Sequence, residues 1–455
     1  MVVKIALALA ISLLLDGAIS AQELPAPQRS EQETNAPKLP SARELYEEAA
    51  RYATRRFEEF DKKKLAFDRK LYEKTLQEQR ELAQTRAAQL SMRPNLAGED
   101  LYYLGLLFDL AGQAEGSLDA LRRFLREASN APGEMKQTAR VIIAIHAAQL
   151  KELKEAEQML AEYQRNEPRK AQEIFALERT LTSACYQAKD EDCALRHARA
   201  AFETAKQSYA ALDPAQRDRF LLAAADDLSI IYALHNQRDE LLGVLRELQR
   251  LGLKLPSAEL FRQATRRLRN YDGAEAEDLS NPERAIRQNE ESAPAPEIQA
   301  AEWIDTKPVR LADLRGRVIL LDFWAYWCGP CLEAFPKLRE WHQKYKDRGL
   351  TIIGLTRYYG AERGIPMAPK EELNFLREFK KRFKLPYGIG IEATEETALR
   401  YGVSSLPTSI LIDRRGMVRF ITVGINDEEL DKLGQWIEKL IAEPAPDEAR
   451  KAITQ

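Results

Sequence analysis

The chain has 455 residues, 45% hydrophobic and 31% charged, enough for two or three folded domains and incompatible with either a wholly disordered chain or a polytopic membrane protein. Lys plus Arg number 68 against 71 Asp plus Glu, a net charge of -3, so no bulk basic field exists to hold nucleic acid and none is expected as a partner. The 4 His (His146, His197, His235, His342) show no paired spacing, which reads against a His-built metal centre; neither a metal nor a cofactor is expected.

Residues 1–21 carry Lys4, an apolar run from Ile5 to Leu15 and small residues before Gln22, the layout of a secretory signal peptide. The run ends at Asp16, well short of the roughly 20 apolar residues that a membrane span needs. The expected location is therefore extracytoplasmic, a bacterial periplasm or alternatively the secreted medium, where disulfides persist. Residues 22–40, rich in Pro, Gln, Glu and Ser, form a disordered linker.

From Ser41 to Met92 there is neither Pro nor Gly, and apolar residues recur at helical spacing, which predicts one or two long helices. Beyond Asn95 a helix, tight turn, helix pattern recurs. Aligning Gly105, Ala144, Thr182 and Ser229 on the first helix places Ser117, Ala156, Ala194 and Leu241 at one position on the second. These segments resemble degenerate tetratricopeptide repeats, longer than that family's usual unit of about 34 residues. The resemblance implies an all-α domain over 41–273 whose stacked hairpins form a groove for a protein partner or client. An irregular helical bundle is the alternative. Cys185 and Cys193 lie on opposite arms of the third hairpin. They read as a structural disulfide, as two small buried apolar residues, or as a second redox centre.

An acidic, Pro-bearing connector follows over 274–299. Residues 300–442 read as α/β: strands at 318–325, 350–355, 387–391, 409–413 and 418–423, helices at 330–346, 370–383, 394–401 and 428–441. Residues 443–455 form a disordered tail. The strongest signal is Cys328-Gly329-Pro330-Cys331, set where a buried strand gives way to a helix. At a helix N-terminus the Cys328 thiol falls from about 8.5 toward roughly 7 or below, which makes it the attacking thiolate. Cys331, one turn on, is placed to attack a mixed disulfide at Cys328. Half a zinc site is the competing reading, and no second pair of ligands lies at suitable spacing in this domain. Asp322, inside VILLDFWA, is expected to be buried and its pKa raised, which makes it a proton acceptor near neutral pH.

The segment DFWAYWCGPC, from Asp322 to Cys331, resembles the active site of thioredoxins. With RLADLRGRVILLDFWA, LTIIGL and YGVSSLPTSILIDRRGMV, residues 300–442 resemble the extracytoplasmic TlpA/ResA-type branch of the thioredoxin-like family. The resemblance implies a thioredoxin fold, with Cys328 as nucleophile, Cys331 as resolving thiol and Asp322 as the base for Cys331. It also implies a cis Leu406-Pro407 bond beside the cysteines, with the Leu406 backbone, Pro407 and Trp327 meeting the substrate. Pro336 kinks the active-site helix, and Trp324 and Trp327 pack around the cysteines. Gly329-Pro330 between the cysteines resembles the reducing type, near about -270 mV, and implies a membrane-spanning electron donor.

The reading is a thiol:disulfide oxidoreductase acting on disulfide-bearing client proteins. The alternatives are an oxidising or isomerising enzyme, and a scaffold in which the helical repeats act while the thioredoxin-like domain only docks. A peroxidase fits poorly, because Ala325 stands where peroxiredoxins carry Thr.

Overall fold

The computed structural model describes residues 39–208, 212–272, 294–362 and 365–444. The expected signal peptide (1–21) lies outside the described residues, as do 22–38 of the first linker, 274–293 of the second and 445–455 of the tail. The chain divides into two compact units, Met1–Ala205 and Lys206–Gln455.

The first unit is helical. Helices α1 (Ala42–Ala50), α2 (Tyr52–Lys62) and α3 (Arg69–Ser91) stand where one or two were expected. The chain breaks at Arg51, then again where Lys64 adopts φ 51° and Asp68 restarts the helix by accepting from Lys70 N and Leu71 N. A left-handed residue cannot continue a right-handed helix, and an Asp cap then satisfies the next set of free amides. Three hairpins follow: α4 (Glu99–Leu110) with α5 (Ala114–Glu127), α6 (Gly133–Gln149) with α7 (Leu153–Arg165), and α8 (Ala171–Gln187) with α9 (Glu191–Ser208).

A fourth hairpin, α10 (Pro214–Leu234) with α11 (Arg238–Lys254), opens the second unit. All four close on the same turn. Gly112, Lys151, Lys189 and Asn236 take φ of 74°, 66°, 61° and 54°. The next amide in each case returns to the carbonyl five residues back: Gln113 to Phe108, Glu152 to Ala147, Asp190 to Cys185 and Gln237 to Tyr232. That pairing of a left-handed residue with a six-residue return bond is the Schellman helix stop.

Gly105 shows why small residues mark these pairs. A Cβ there would lie 2.5 Å from Leu121 side-chain atoms, and Ser117 Oγ donates to Gly105 O at 3.0 Å across the same contact. Gly105→Ala is therefore expected to lower thermal stability. The gain of about 1 kcal/mol in helix propensity is smaller than the about 1–3 kcal/mol cost of overpacking against buried Leu121. A circular-dichroism melt checks this, and a raised midpoint would contradict it.

In the second unit α12 (Ala258–Asp272) precedes a six-stranded mixed sheet of order β1-β6-β3-β2-β7-β8. The strands are β1 (Glu302–Ile304), β2 (Val318–Phe323), β3 (Leu350–Arg357), β6 (Gly388–Glu392), β7 (Thr408–Ile412) and β8 (Val418–Val423). β2 pairs parallel with β3, and β3 with β6; the other pairings are antiparallel. Two short strands, β4 (Ala361–Glu362) and β5 (Ile365–Pro366), pair apart from this sheet. The helices are α13 (Gly329–Tyr345), α14 (Pro369–Arg382), α15 (Glu396–Arg400) and α16 (Asp427–Ala442). Every residue of β2 is buried, as a strand covered on both faces requires. No described helix is long and apolar enough to cross a membrane.

The compact unit starts at Lys206, well before the connector expected at 274–299. The physical reason is burial: Leu253, Ala258 and Phe261 belong to the same apolar cluster as Phe420 and Trp436 of the α/β part. The end of that connector is also built in. Ala295 N donates to Gly416 O at 2.9 Å, and the Glu297 carboxylate accepts from Leu311 N and Ala312 N, each at 2.8 Å.

Candidate active site

Between the end of β2 at Phe323 and the start of α13 at Gly329, the chain turns out of the sheet and delivers Cys328 as the helix N-cap. Cys331 N donates to Cys328 Sγ at 3.3 Å. That sulfur faces the positive end of the helix dipole, which favours its ionised form. Pro330 sits in the first turn, where its missing N–H leaves no internal bond unmade. Cys328 and Cys331 are bonded, with Cα atoms 5.3 Å apart, so this is the oxidised state of the pair. Cys328 is 5% exposed and Cys331 1%, so Cys328 is the less deeply buried of the two.

Asp322 lies inside β2, opposite Gly354 of β3 and Ser409 of β7. It is buried, and burial pushes its carboxyl up to about 7, against a small opposing effect of Ser409 Oγ, which donates to it at 3.4 Å. Trp324 is buried too, stacked on Phe379 at 5.3 Å and edge-on to Phe335 at 5.5 Å. Its indole fits because Gly354 has no side chain; a Cβ there would stand 2.9 Å from Trp324 Nε1. Pro336 lies inside α13.

The Leu406-Pro407 bond is cis, and Pro407 O accepts from Gly424 N at 2.8 Å. The loop that leads to it is held by α12. Ala258 N donates to Tyr401 O at 2.8 Å and Glu259 N to Gly402 O at 3.0 Å, and the Ser404 hydroxyl donates to the Glu259 carboxylate. Helix α12 thus spends its own free N-terminal amides on the Pro407 loop.

Trp327 is 60% exposed and packs edge-on against Tyr359, centroids 5.2 Å apart. Sequence reasoning missed this wall. Tyr326 lies 5.7 Å from Tyr359 and 5.1 Å from Phe375, and its hydroxyl donates to Ala361 O. Glu372 of α14 is buried and accepts from Tyr359 N at 2.7 Å and Gly360 N at 2.9 Å. In the sequence Glu372 reads as an ordinary first-turn acid; the run Tyr358-Tyr359-Gly360 was the one available signal. Cys185 and Cys193, in the first unit, are buried and bonded to each other, Cα atoms 5.6 Å apart.

Residues 292–421 match the AhpC/TSA family. The chain is similar to the thiol-disulfide oxidoreductase ResA of Bacillus cereus (strain ZK / E33L), 30% identical over 137 residues that cover 30% of this chain and 71% of that protein. It is 35% identical over 159 residues to protein DipZ of Mycobacterium tuberculosis (strain CDC 1551 / Oshkosh). That alignment covers 34% of this chain and only 22% of DipZ, so the chain spans a minor part of that relative's length. Among solved structures it is similar to a putative thiol:disulfide interchange protein DsbE from Chlorobium tepidum, at 28% identity over 33% of this chain and 97% of that one, with a TM-score of 0.29.

Proposed function

The chain belongs to the thioredoxin-like thiol-disulfide oxidoreductases, and from that premise we propose that it reduces disulfides of extracytoplasmic client proteins through Cys328 and Cys331, its helical hairpins binding a partner or client. The observation that carries this reading is Cys328 as the cap of α13, bonded to a more deeply buried Cys331 and flanked by exposed Trp327.

In the dithiol form the Cys328 thiolate attacks one sulfur of a client disulfide, and the other client sulfur leaves as a thiolate and takes up a proton. Asp322 accepts the Cys331 proton, and the Cys331 sulfur attacks Cys328 Sγ. The client leaves fully reduced and the Cys328-Cys331 bond closes, so two electrons have passed to the client. Tyr359 and Trp327 frame the approach, and the Leu406-Pro407 segment offers backbone to an extended client strand. Returning to the dithiol needs two electrons and two protons, which we assign to a membrane-spanning donor. The fourfold recurrence of one hairpin turn supports reading the helices as a tetratricopeptide-like partner-binding array.

The test is trapping. Cys331→Ser removes the resolving sulfur and leaves the attacking one, so mixed disulfides between Cys328 and clients are expected to accumulate and to run as reductant-sensitive adducts on non-reducing gels. The absence of such adducts, with the variant folded and its Cys328 alkylable, would count against the reading.

A further inference from the structure

We propose that the α8–α9 hairpin is a redox-gated metal site: with its disulfide reduced, Cys185, Cys193, His197 and Glu157 bind one divalent cation of the zinc class. Ligand atoms of Cys185, Cys193 and His197 lie within 4.8 Å of one another, and all three residues are buried. Glu157 Oε1 is 3.1 Å from His197 Nε2 and 4.0 Å from Cys193 Sγ. Around a tetrahedral zinc, with sulfur at about 2.3 Å and nitrogen or oxygen at about 2.0–2.2 Å, ligand atoms stand roughly 3.3–3.8 Å apart. Small movements therefore bring Cys185, Cys193 and His197 into that arrangement, with Glu157 beside two of the three as the fourth donor.

The surroundings favour the same reading. His197 Nδ1 lies 2.6 Å from Glu178 Oε2, and Glu178 is itself buried. A carboxylate behind the ring holds its Nδ1 side and orients Nε2 toward the other ligands, as outer partners of metal-bound histidines do. Arg196 shares Glu157 Oε1 at 2.5 Å, so an arriving cation displaces that ion pair. A His held between two carboxylates has a purely structural reading as well, as a charged clamp, but that reading does not call for two sulfurs beside the ring.

The chemistry balances without further parts. A dithiol of the thioredoxin class, or dithiothreitol, gives two electrons and two protons to the Cys185-Cys193 bond and becomes a disulfide. The cation then displaces the two thiol protons. A two-electron oxidant of the disulfide or diazene class, such as diamide, takes up the two electrons and is itself reduced as the sulfurs rejoin and release the ion.

The proposal stands apart from the Cys328/Cys331 reading, so it is tested in the full-length chain carrying Cys328→Ser and Cys331→Ser, reduced and then titrated with Co²⁺. Expected is one Co²⁺ per chain, with thiolate charge transfer in the near ultraviolet and the intense visible bands of tetrahedral cobalt. Added Zn²⁺ bleaches these bands, and diamide oxidation releases the metal to a chromogenic chelator. Adding His197→Ala abolishes the bands, and Glu178→Gln, which leaves every ligand in place, weakens affinity roughly 10–100-fold. Three results would overturn the proposal: a reduced, folded protein without cobalt bands, bands indifferent to His197→Ala, or a disulfide that thiol titration finds still closed under reductant.

Discussion

Cys328→Ser is expected to lower insulin-reduction turnover by at least about 10³-fold, to the background of dithiothreitol alone. A serine hydroxyl at the tip of α13 remains un-ionised at neutral pH, whereas a helix terminus favours the thiolate form of a sulfur placed there. Ser is also a favourable N-cap, so α13 keeps its start and lost activity cannot be ascribed to a lost helix. In the wild-type dithiol form, alkylation of Cys328 should reach half its maximal rate near about pH 7, not near the about 8.5 of a free thiol. Turnover that survives in the serine variant would place the chemistry elsewhere and favour the scaffold reading, in which the hairpins act and the α/β part only docks.

Asp322→Asn is expected to have two opposed effects. In catalysis, resolution of the mixed disulfide should slow by roughly 10²-fold, because the variant has no base for the Cys331 proton. The wild-type resolution rate should climb as pH passes about 7, where the buried carboxyl ionises, and the Asn protein should lack that rise. In stability the sign reverses. The folded carboxyl titrates near about 7 and the unfolded one near 3.8, so the folded state holds the extra proton between them. Its contribution is fully present below the unfolded value and is lost as pH rises through the folded one. Raising a carboxyl from 3.8 to about 7 corresponds to a penalty of about 4 kcal/mol once both states are ionised.

The Asn variant avoids that penalty and should therefore be the more stable protein near about pH 8, with the difference shrinking toward about pH 4. The 5 Trp (Trp303, Trp324, Trp327, Trp341, Trp436) all lie in the second unit, so tryptophan fluorescence during denaturant unfolding follows that unit alone. Equal wild-type and variant stability near about pH 8 would mean that Asp322 ionises without cost.

What could be seen in the sequence follows the range of the interactions involved. The elements of the α/β part lie within two residues of their expected positions, except β1, β4 and β5, which were not expected, because apolar runs such as VILLDF and turn residues such as Gly416 encode them locally. The place of Cys328 at the tip of a helix depends on a strand end and a helix start a few residues apart, and the burial of Asp322 on its immediate neighbours, so both are visible from the chain alone. The fixing of the Pro407 loop by Ala258 and Glu259 was not, since it joins segments more than a hundred positions apart with nothing in either to announce the other. The same holds for Glu372, whose carboxylate turns inward to two loop amides where an amphipathic pattern puts it in water. In the first helices Lys64 ends a helix by its φ value, a property that its residue type conceals.

The burial of Phe261 against Phe420, ring centroids 6.3 Å apart, bears on how this protein can be cut. A recombinant fragment beginning near residue 300, where composition suggests a clean start, would strip α11 and α12 from β8 and open a greasy seam to water, an invitation to self-association. Starting the fragment at Pro214 keeps the seam closed and leaves the clamp on the Pro407 loop intact.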